Sequence, residues 1–273
     1  MNLRREFVAS ICTVIFIYAK IENLKKNEMS IESRPRALME NSDCSIVKKP
    51  FIVVGNNVPV YFQNRWDVSS SSIGGGLWST GMAMAHLFAE QPYHDLCGID
   101  PFSCRRALEL GSGNGFLSAC FLASLQIQKC NKLDQFVVTD LDDHLPYIRH
   151  TLCVDNQELM TSVVTILPYK WGEPCQKENT ELSSNSFDFI FGSDLAYRDD
   201  LYDPLIMSLL ELSHDKTVIL IGCTMQDTKP LFFDKLWKSG FTYTRISDEF
   251  LTPDYKGTSF GLFVIHKRKL SHI

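Results

Sequence analysis

Residues 107–115 read Ala-Leu-Glu-Leu-Gly-Ser-Gly-Asn-Gly, or ALELGSGNG. A short apolar run carrying one acidic residue stops at three glycines in alternate positions, Gly111, Gly113 and Gly115. A second apolar run, FLSACFLASL from residue 116, follows with no Gly or Pro and has length for about three helical turns. This pattern predicts a buried strand, a tight turn and a helix, the first half of a β-α-β unit. Glycine in the turn accepts positive φ and lets the backbone approach a ligand closely. The free N–H groups of the following helix's first turn face the same spot. The spacing is not that of the dinucleotide fingerprint, whose third glycine would fall at Phe116. Taken alone, the turn is also compatible with a plain strand-to-helix connection.

Length and composition set the bounds. The chain has 273 residues, 45% hydrophobic and 22% charged, enough for one good-sized domain plus an extension. A formal net charge of −5 argues against a nucleic-acid partner, which calls for a basic face. Nine cysteines are scattered without a CxxC pair, so neither a metal site nor a disulfide framework is expected. Reduced thiols point to the cytoplasm, with the nucleus as a second compartment.

Residues 1–48 are expected to be an extension, mostly disordered with a short apolar helix. Arg4-Arg5 precede the apolar run FVASICTVIFIY at 7–18, which resembles the start of a signal peptide. Twelve residues fall short of the roughly twenty that a membrane span needs, and no clean small-x-small cleavage site follows. No membrane association is expected. The folded domain is expected over 49–270.

Within it, residues 51–54 and 58–62 flank Gly55-Asn56-Asn57 as a hairpin. A Ser/Gly stretch at 69–76 leads to Leu77-Trp78-Ser79-Thr80 and a helix over 82–88, with Ser79 or Thr80 as its cap. Trp78, just before that helix, reads as core more readily than as a ligand contact. Further strands are expected at 136–139, 162–167, 187–191, 217–221, 241–246 and 260–266. Helices are expected at 143–156, 204–212 and 231–238. The alternation predicts an α/β fold: a Rossmann-like, mostly parallel sheet with helices on both faces, preceded by the hairpin. Asp140 ends the second strand 29 residues after Gly111, where a carboxylate either accepts from a ribose hydroxyl pair or caps a helix. The glycines, Asp140, Trp171, Ser193 and Asp194 all fall at the carboxyl ends of strands, where such sheets bind ligands. A nucleoside-type cofactor follows, with NAD and S-adenosylmethionine both open.

Five segments then make the chain recognisable: LWST at 77–80, LELGSGNG at 108–115, VVTDLDD at 137–143, YKWGE at 169–173 and FGSDLAY at 191–197, with FGLFVIHKRK at 260–269. From about residue 51 to 269 the chain resembles the seven-β-strand S-adenosylmethionine-dependent methyltransferases. Within them it resembles the methyltransferase-like 21 branch of protein-lysine methyltransferases, which includes the enzymes acting on valosin-containing protein and Hsp70. Asp194 and Tyr197 meet that family's DxxY signature. The resemblance implies a monomeric enzyme that moves methyl groups from S-adenosylmethionine to a lysine of a partner protein, a chaperone or an AAA-type ATPase among the candidates. It implies that Trp78 lies against the cofactor, that Gly111, Ser112 and Gly113 wrap its methionine part, and that Glu109 is also cofactor-binding. Asp140 would hold the ribose, Trp171 would flank the adenine, and Ser193 would touch the cofactor. Asp194 and Tyr197 would face the incoming lysine, and Asp199, Asp200 and Asp203 would form a solvated acidic rim suited to a basic segment. The chain departs from the family at Ser79-Thr80, where Asp-Ala is common.

Other readings compete. A dinucleotide oxidoreductase shares the glycine turn but lacks its spacing and a hydride-transfer site. A nucleic-acid methyltransferase would carry Asn/Asp-Pro-Pro-aromatic where DLAY stands. The remaining alternatives are a cofactor-binding interaction module without turnover and a methyltransferase for another substrate class. For Asp194 the structural alternative is a helix cap.

Overall fold

In the computed structural model the described residues are 49–55, 58–63, 75–89, 100–128, 132–175 and 181–268. All lie in the unit Lys48–Ile273. The expected extension over 1–48, with its apolar run, lies outside the described residues, as does most of the Ser/Gly stretch.

Two short strands, β1 (Ile52–Val54) and β2 (Val58–Val60), pair antiparallel as the expected hairpin. After α1 (Ser79–Ala89) come β3 (Arg106–Glu109), α2 (Phe116–Ile127), β4 (Gln135–Asp140), α3 (Leu145–Arg149) and β5 (Val164–Pro168). The second half runs β6 (Phe187–Ser193), α4 (Tyr202–Leu212), β7 (Ser213–Thr224), α5 (Pro230–Lys238), β8 (Phe241–Arg245) and β9 (Phe260–Lys267). The main sheet has seven strands in the order β5-β4-β3-β6-β7-β9-β8. The first five are mutually parallel, and β9 runs antiparallel to both of its neighbours.

Alternate side chains of each central strand enter different cores. Ala107, Phe136, Val138, Phe189 and Phe191 join α1, α2 and the hairpin, while Leu108, Val137 and Ile190 join α4 and α5. Both faces being apolar, a helical layer covers each. Helix α2 is buried along residues 116–125, which is why its sequence shows no polar stripe. The hairpin is anchored on it: Phe51 and Phe62 lie edge-on to Phe116, centroids 5.5 and 5.2 Å away. The buried Asn156 ties the same hairpin down, accepting from Tyr61 N–H at 2.7 Å and donating to Tyr61 C=O at 2.7 Å.

Two local expectations are corrected. Helix α1 begins at Ser79, so Ser79 and Thr80 stand in its first turn instead of capping it. The helix expected over 143–156 is α-helical only to Arg149 and then widens into a π-helical turn, His150–Asp155. The wide turn is held by Asn156, whose backbone N–H and side-chain amide both donate to the Thr151 carbonyl, at 3.1 and 2.8 Å.

From β3 the chain winds outward through β4 and β5, then crosses back to β6 and β7. The direction of winding therefore reverses between β3 and β6, and it is beyond the carboxyl ends of the strands at such a reversal that these sheets bind ligands. The glycine turn follows β3 and Asp194 follows β6.

Candidate functional site

The turn after β3 is positive in φ at Gly111 (60°), Gly113 (62°) and Gly115 (80°). At Gly111 a side chain is barred twice, because a Cβ would lie 2.8 Å from Leu195 and 2.9 Å from the Trp171 ring. Trp171 and the DLAY segment therefore close on the turn. The turn is also stitched to β4: Ser112 N–H donates to Thr139 C=O at 3.0 Å, and Gly113 N–H donates to the Asp140 carboxylate at 2.6 Å. The second Asp140 oxygen accepts from Leu141 N–H at 2.7 Å and lies 3.4 Å from His144 Nδ1. Burial holds the Asp140 carboxyl above its ordinary pKa, opposed by His144 and the two N–H groups. Each oxygen keeps acceptor capacity for a further donor. A hollow of about 410 Å³ opens beside it at the ends of β4 and β5, lined by Leu141, Pro168, Tyr169, Lys170 and Leu182 among others.

Asn114 is a site residue that the sequence reading missed. Its amide donates to Gly76 C=O at 2.7 Å and to Gly75 C=O at 3.3 Å, while its carbonyl accepts from Phe116 N–H at 3.0 Å. It fastens the segment leading to Trp78 onto the glycine turn. An Asn between two turn glycines was the available signal.

Glu109 is enclosed beneath the turn, 1% exposed, and accepts from the Ser118 hydroxyl of α2. Burial pushes its carboxyl up to about 8. The hydroxyls of Ser118 and Ser112 oppose that shift. Trp78 is 43% exposed, which overturns its reading as core.

The lysine-facing pair follows β6. Ser193 abuts α1, its hydroxyl 3.2 Å from where a Cβ of Gly81 would stand. Asp194 sits in the left-handed region at φ 53° with its N–H on Gly222 C=O at 2.9 Å. Its carboxylate accepts from Thr80 Oγ1 at 2.5 Å and from Thr224 Oγ1 at 2.8 Å. It caps no helix: the 3-10 turn Asp199–Leu201 and then α4 begin farther on. Tyr197 is 36% exposed and close enough to Asp140 for that carboxylate to raise its pKa, although burial is the larger cause. The structure thus gathers Gly111, Ser112, Gly113, Asp140, Trp171, Ser193, Asp194 and Tyr197 at the carboxyl end of the sheet, with Trp78 just before α1 and Glu109 below the turn.

The aspartates expected as a solvated rim are exposed, as expected, and each is paired. Asp199 pairs with Lys229 at 2.6 Å, Asp200 with Arg198 at 2.5 Å and Asp203 with Lys235 at 2.6 Å. Each of the three carboxylates thus has a cation beside it. The cations lie up to 32 residues away in sequence.

A family model described as lysine methyltransferase matches residues 62–239, well over half of the chain. The chain belongs to the lysine methyltransferase family. It is a methyltransferase by class, an enzyme whose Rossmann-like sheet carries the residues just described. Among curated relatives, the protein-lysine N-methyltransferase EFM6 of Saccharomyces cerevisiae is 25% identical over 194 residues, 67% of this chain and 76% of that protein. The protein N-lysine methyltransferase METTL21A of Danio rerio is 24% identical over 154 residues, covering 55% of this chain and 60% of that one. Among solved structures, an O-methyltransferase family protein from Burkholderia thailandensis has a TM-score of 0.47 at 14% identity, covering 70% of this chain and 57% of that one.

Proposed function

We propose that this lysine methyltransferase takes S-adenosylmethionine as methyl donor and a lysine side chain of a partner protein as acceptor. The observation that carries the reading is the convergence of the glycine turn, Asp140 and Asp194 at the reversal of strand winding. The family match and the names of the relatives support it. The residues fit the cofactor: Asp140 has spare acceptor capacity on both oxygens for a diol, and the buried Ser112 hydroxyl still lacks a full hydrogen bond.

When bound, S-adenosylmethionine supplies a methyl group on a cationic sulfur, open to in-line attack by an amine. Asp140 would hold the ribose hydroxyls, Trp171 would flank the adenine, and Gly111, Ser112 and Gly113 would wrap the methionine part. Glu109, enclosed below, would support the turn. Trp78 and Ser193 would line the cofactor from the α1 side. Free lysine has a pKa near 10.4, so the amine must lose a proton before it attacks. Asp194 would first attract the ammonium and then orient the neutral amine by a hydrogen bond, while Tyr197 would wall the channel with an aromatic face. The chain's contribution is mainly placement, the proximity and orientation term. The partner is an unidentified protein; a chaperone or AAA-type ATPase is the class we favour, with the enzyme acting as a monomer in the cytoplasm.

The test is incubation of the purified protein with tritiated S-adenosylmethionine and a cell lysate, followed by mass spectrometry of the labelled band. Methyl groups on a lysine of one protein are expected. Label confined to nucleic acid or small molecules overturns the substrate class. Cofactor binding by calorimetry without transfer to any lysate component would leave an interaction module.

A further inference from the structure

Asp194 is held from two distant elements. Thr80, fully buried on α1 and 114 residues away in sequence, donates to one carboxylate oxygen. Thr224, closing β7, donates to the other. The approach of Thr80 depends on Gly222, where a Cβ would stand 2.7 Å from the Thr80 hydroxyl oxygen. The backbone of β7 is therefore bare where the hydroxyl passes, and the same glycine's carbonyl takes the Asp194 N–H. The Thr80 backbone N–H also hydrogen-bonds this carboxylate, so of its roughly four lone-pair sites about one is left for a further donor.

We propose that Thr80 and Thr224 are positioning residues, two hydroxyl donors that fix the Asp194 carboxylate at the angle from which it meets the target amine. The proposal rests on the reading of Asp194 given above. Neither threonine touches the substrate in it; both act through Asp194. They also oppose the cost of burial. Desolvation and the charge of Asp227 push the Asp194 carboxyl above its ordinary range, while the two hydroxyls and the Thr80 backbone N–H oppose the shift. The other titratable neighbour, the Cys223 thiol, is itself pushed up to about 12 and stays neutral. Loss of either hydroxyl therefore raises the pH at which Asp194 ionises.

The experiment separates hydroxyl from packing. Thr80→Val keeps the shape and removes the donor, whereas Thr80→Ser keeps the donor and removes a methyl group. In the full chain labelled with 13C-aspartate, the Asp194 carboxyl is titrated by NMR. The kcat is followed across pH on the substrate protein found by the labelling assay, with Asp194→Asn as control. Thr80→Val is expected to move the Asp194 midpoint up by about one unit and to lower kcat about tenfold near neutrality. The acid limb of its rate profile should move the same way, with the cofactor Kd within about twofold of wild type. Thr80→Ser is expected to return both midpoint and limb. The opposite pattern, Thr80→Val normal and Thr80→Ser impaired, makes Thr80 a packing residue and overturns the proposal. If Asp194→Asn keeps wild-type turnover, the reading of Asp194 has failed and the proposal falls with it, whatever the NMR midpoint does. Thr224→Val and Thr224→Ser repeat the test from β7 should Thr80→Val not fold.

Discussion

The two halves of the site are held by different means. On the side of β3 and β4, the turn is fixed mainly by backbone groups: Ser112 N–H on Thr139, and Gly113 and Leu141 N–H on Asp140. The partners lie within about thirty residues of one another, joined by one β-α-β unit. On the side of β6 and β7, Asp194 is fixed by side chains from α1 and from the end of β7. The first half is a property of a local segment, so a segment of sequence records it. The second is assembled only in the folded chain.

The comparison breaks most clearly at Asp194. Asp194→Asn is expected to lower turnover at least about a hundredfold, the loss of an interaction of ~3 kcal/mol at the reacting group, with cofactor affinity within about twofold. Single-turnover methylation and calorimetry on the same sample check it. Near-wild-type turnover would make the lysine half a structural clasp. On the other side, Asp140→Ala is expected to weaken S-adenosylmethionine binding by roughly 1–3 kcal/mol, because it strips a charged acceptor from the turn and from the proposed ribose contact. Unchanged affinity in a folded variant would remove Asp140 from the cofactor hold.

A smaller effect is expected beneath the turn. Glu109 has its folded pKa raised from 4.5 to about 8. The folded state therefore holds this proton more tightly than the unfolded one. The group's contribution to stability is fully present below about pH 4.5 and is lost as pH rises toward about 8. Glu109→Gln cannot ionise, so its stability relative to wild type should improve with rising pH across that window. Denaturant melts at several pH values read this directly, and a constant difference would mean that Glu109 is charged when folded. The smallest effect is expected from the N-terminus: a chain starting near Ser45 should fold and keep activity, since β1 begins at Ile52. Loss of soluble protein would put the apolar run 7–18 into the core.

The strands and the glycine turn were legible because each is a run of consecutive residues with a period or a breaker. Residues 187–191 read as a strand from their aromatic and apolar content, and β6 extends them to Ser193. Asp140 was legible for the same reason, standing at a strand end a fixed distance from the turn. Thr80 was not: its neighbours suggest a helix cap, and only the crossing of α1 over Gly222 gives it another role. Trp78 misled because an apolar side chain near glycines suggests core, whereas it is 43% exposed just before α1. In the acidic run 199–203 the partner of Asp200, Arg198, is close in sequence, whereas Lys229 and Lys235, which pair with Asp199 and Asp203, are brought opposite only by α5 and its approach.

The hairpin's link to Asn156 carries a consequence for the order in which the chain acquires its structure. Tyr61 and Asn156 are 95 residues apart. During vectorial synthesis the hairpin leaves the ribosome early, yet its polar latch emerges only after β4 and the π-helical turn have been made. Until then it is held by apolar packing, with Val54 and Val60 buried in the core and Phe51 and Phe62 against Phe116, and an isolated two-stranded hairpin is marginal in water. The segment that is first to emerge among the described strands is therefore among the later ones to lock. Strand edges and aromatic side chains left open in that interval are the kind of surface that chaperones bind in nascent chains.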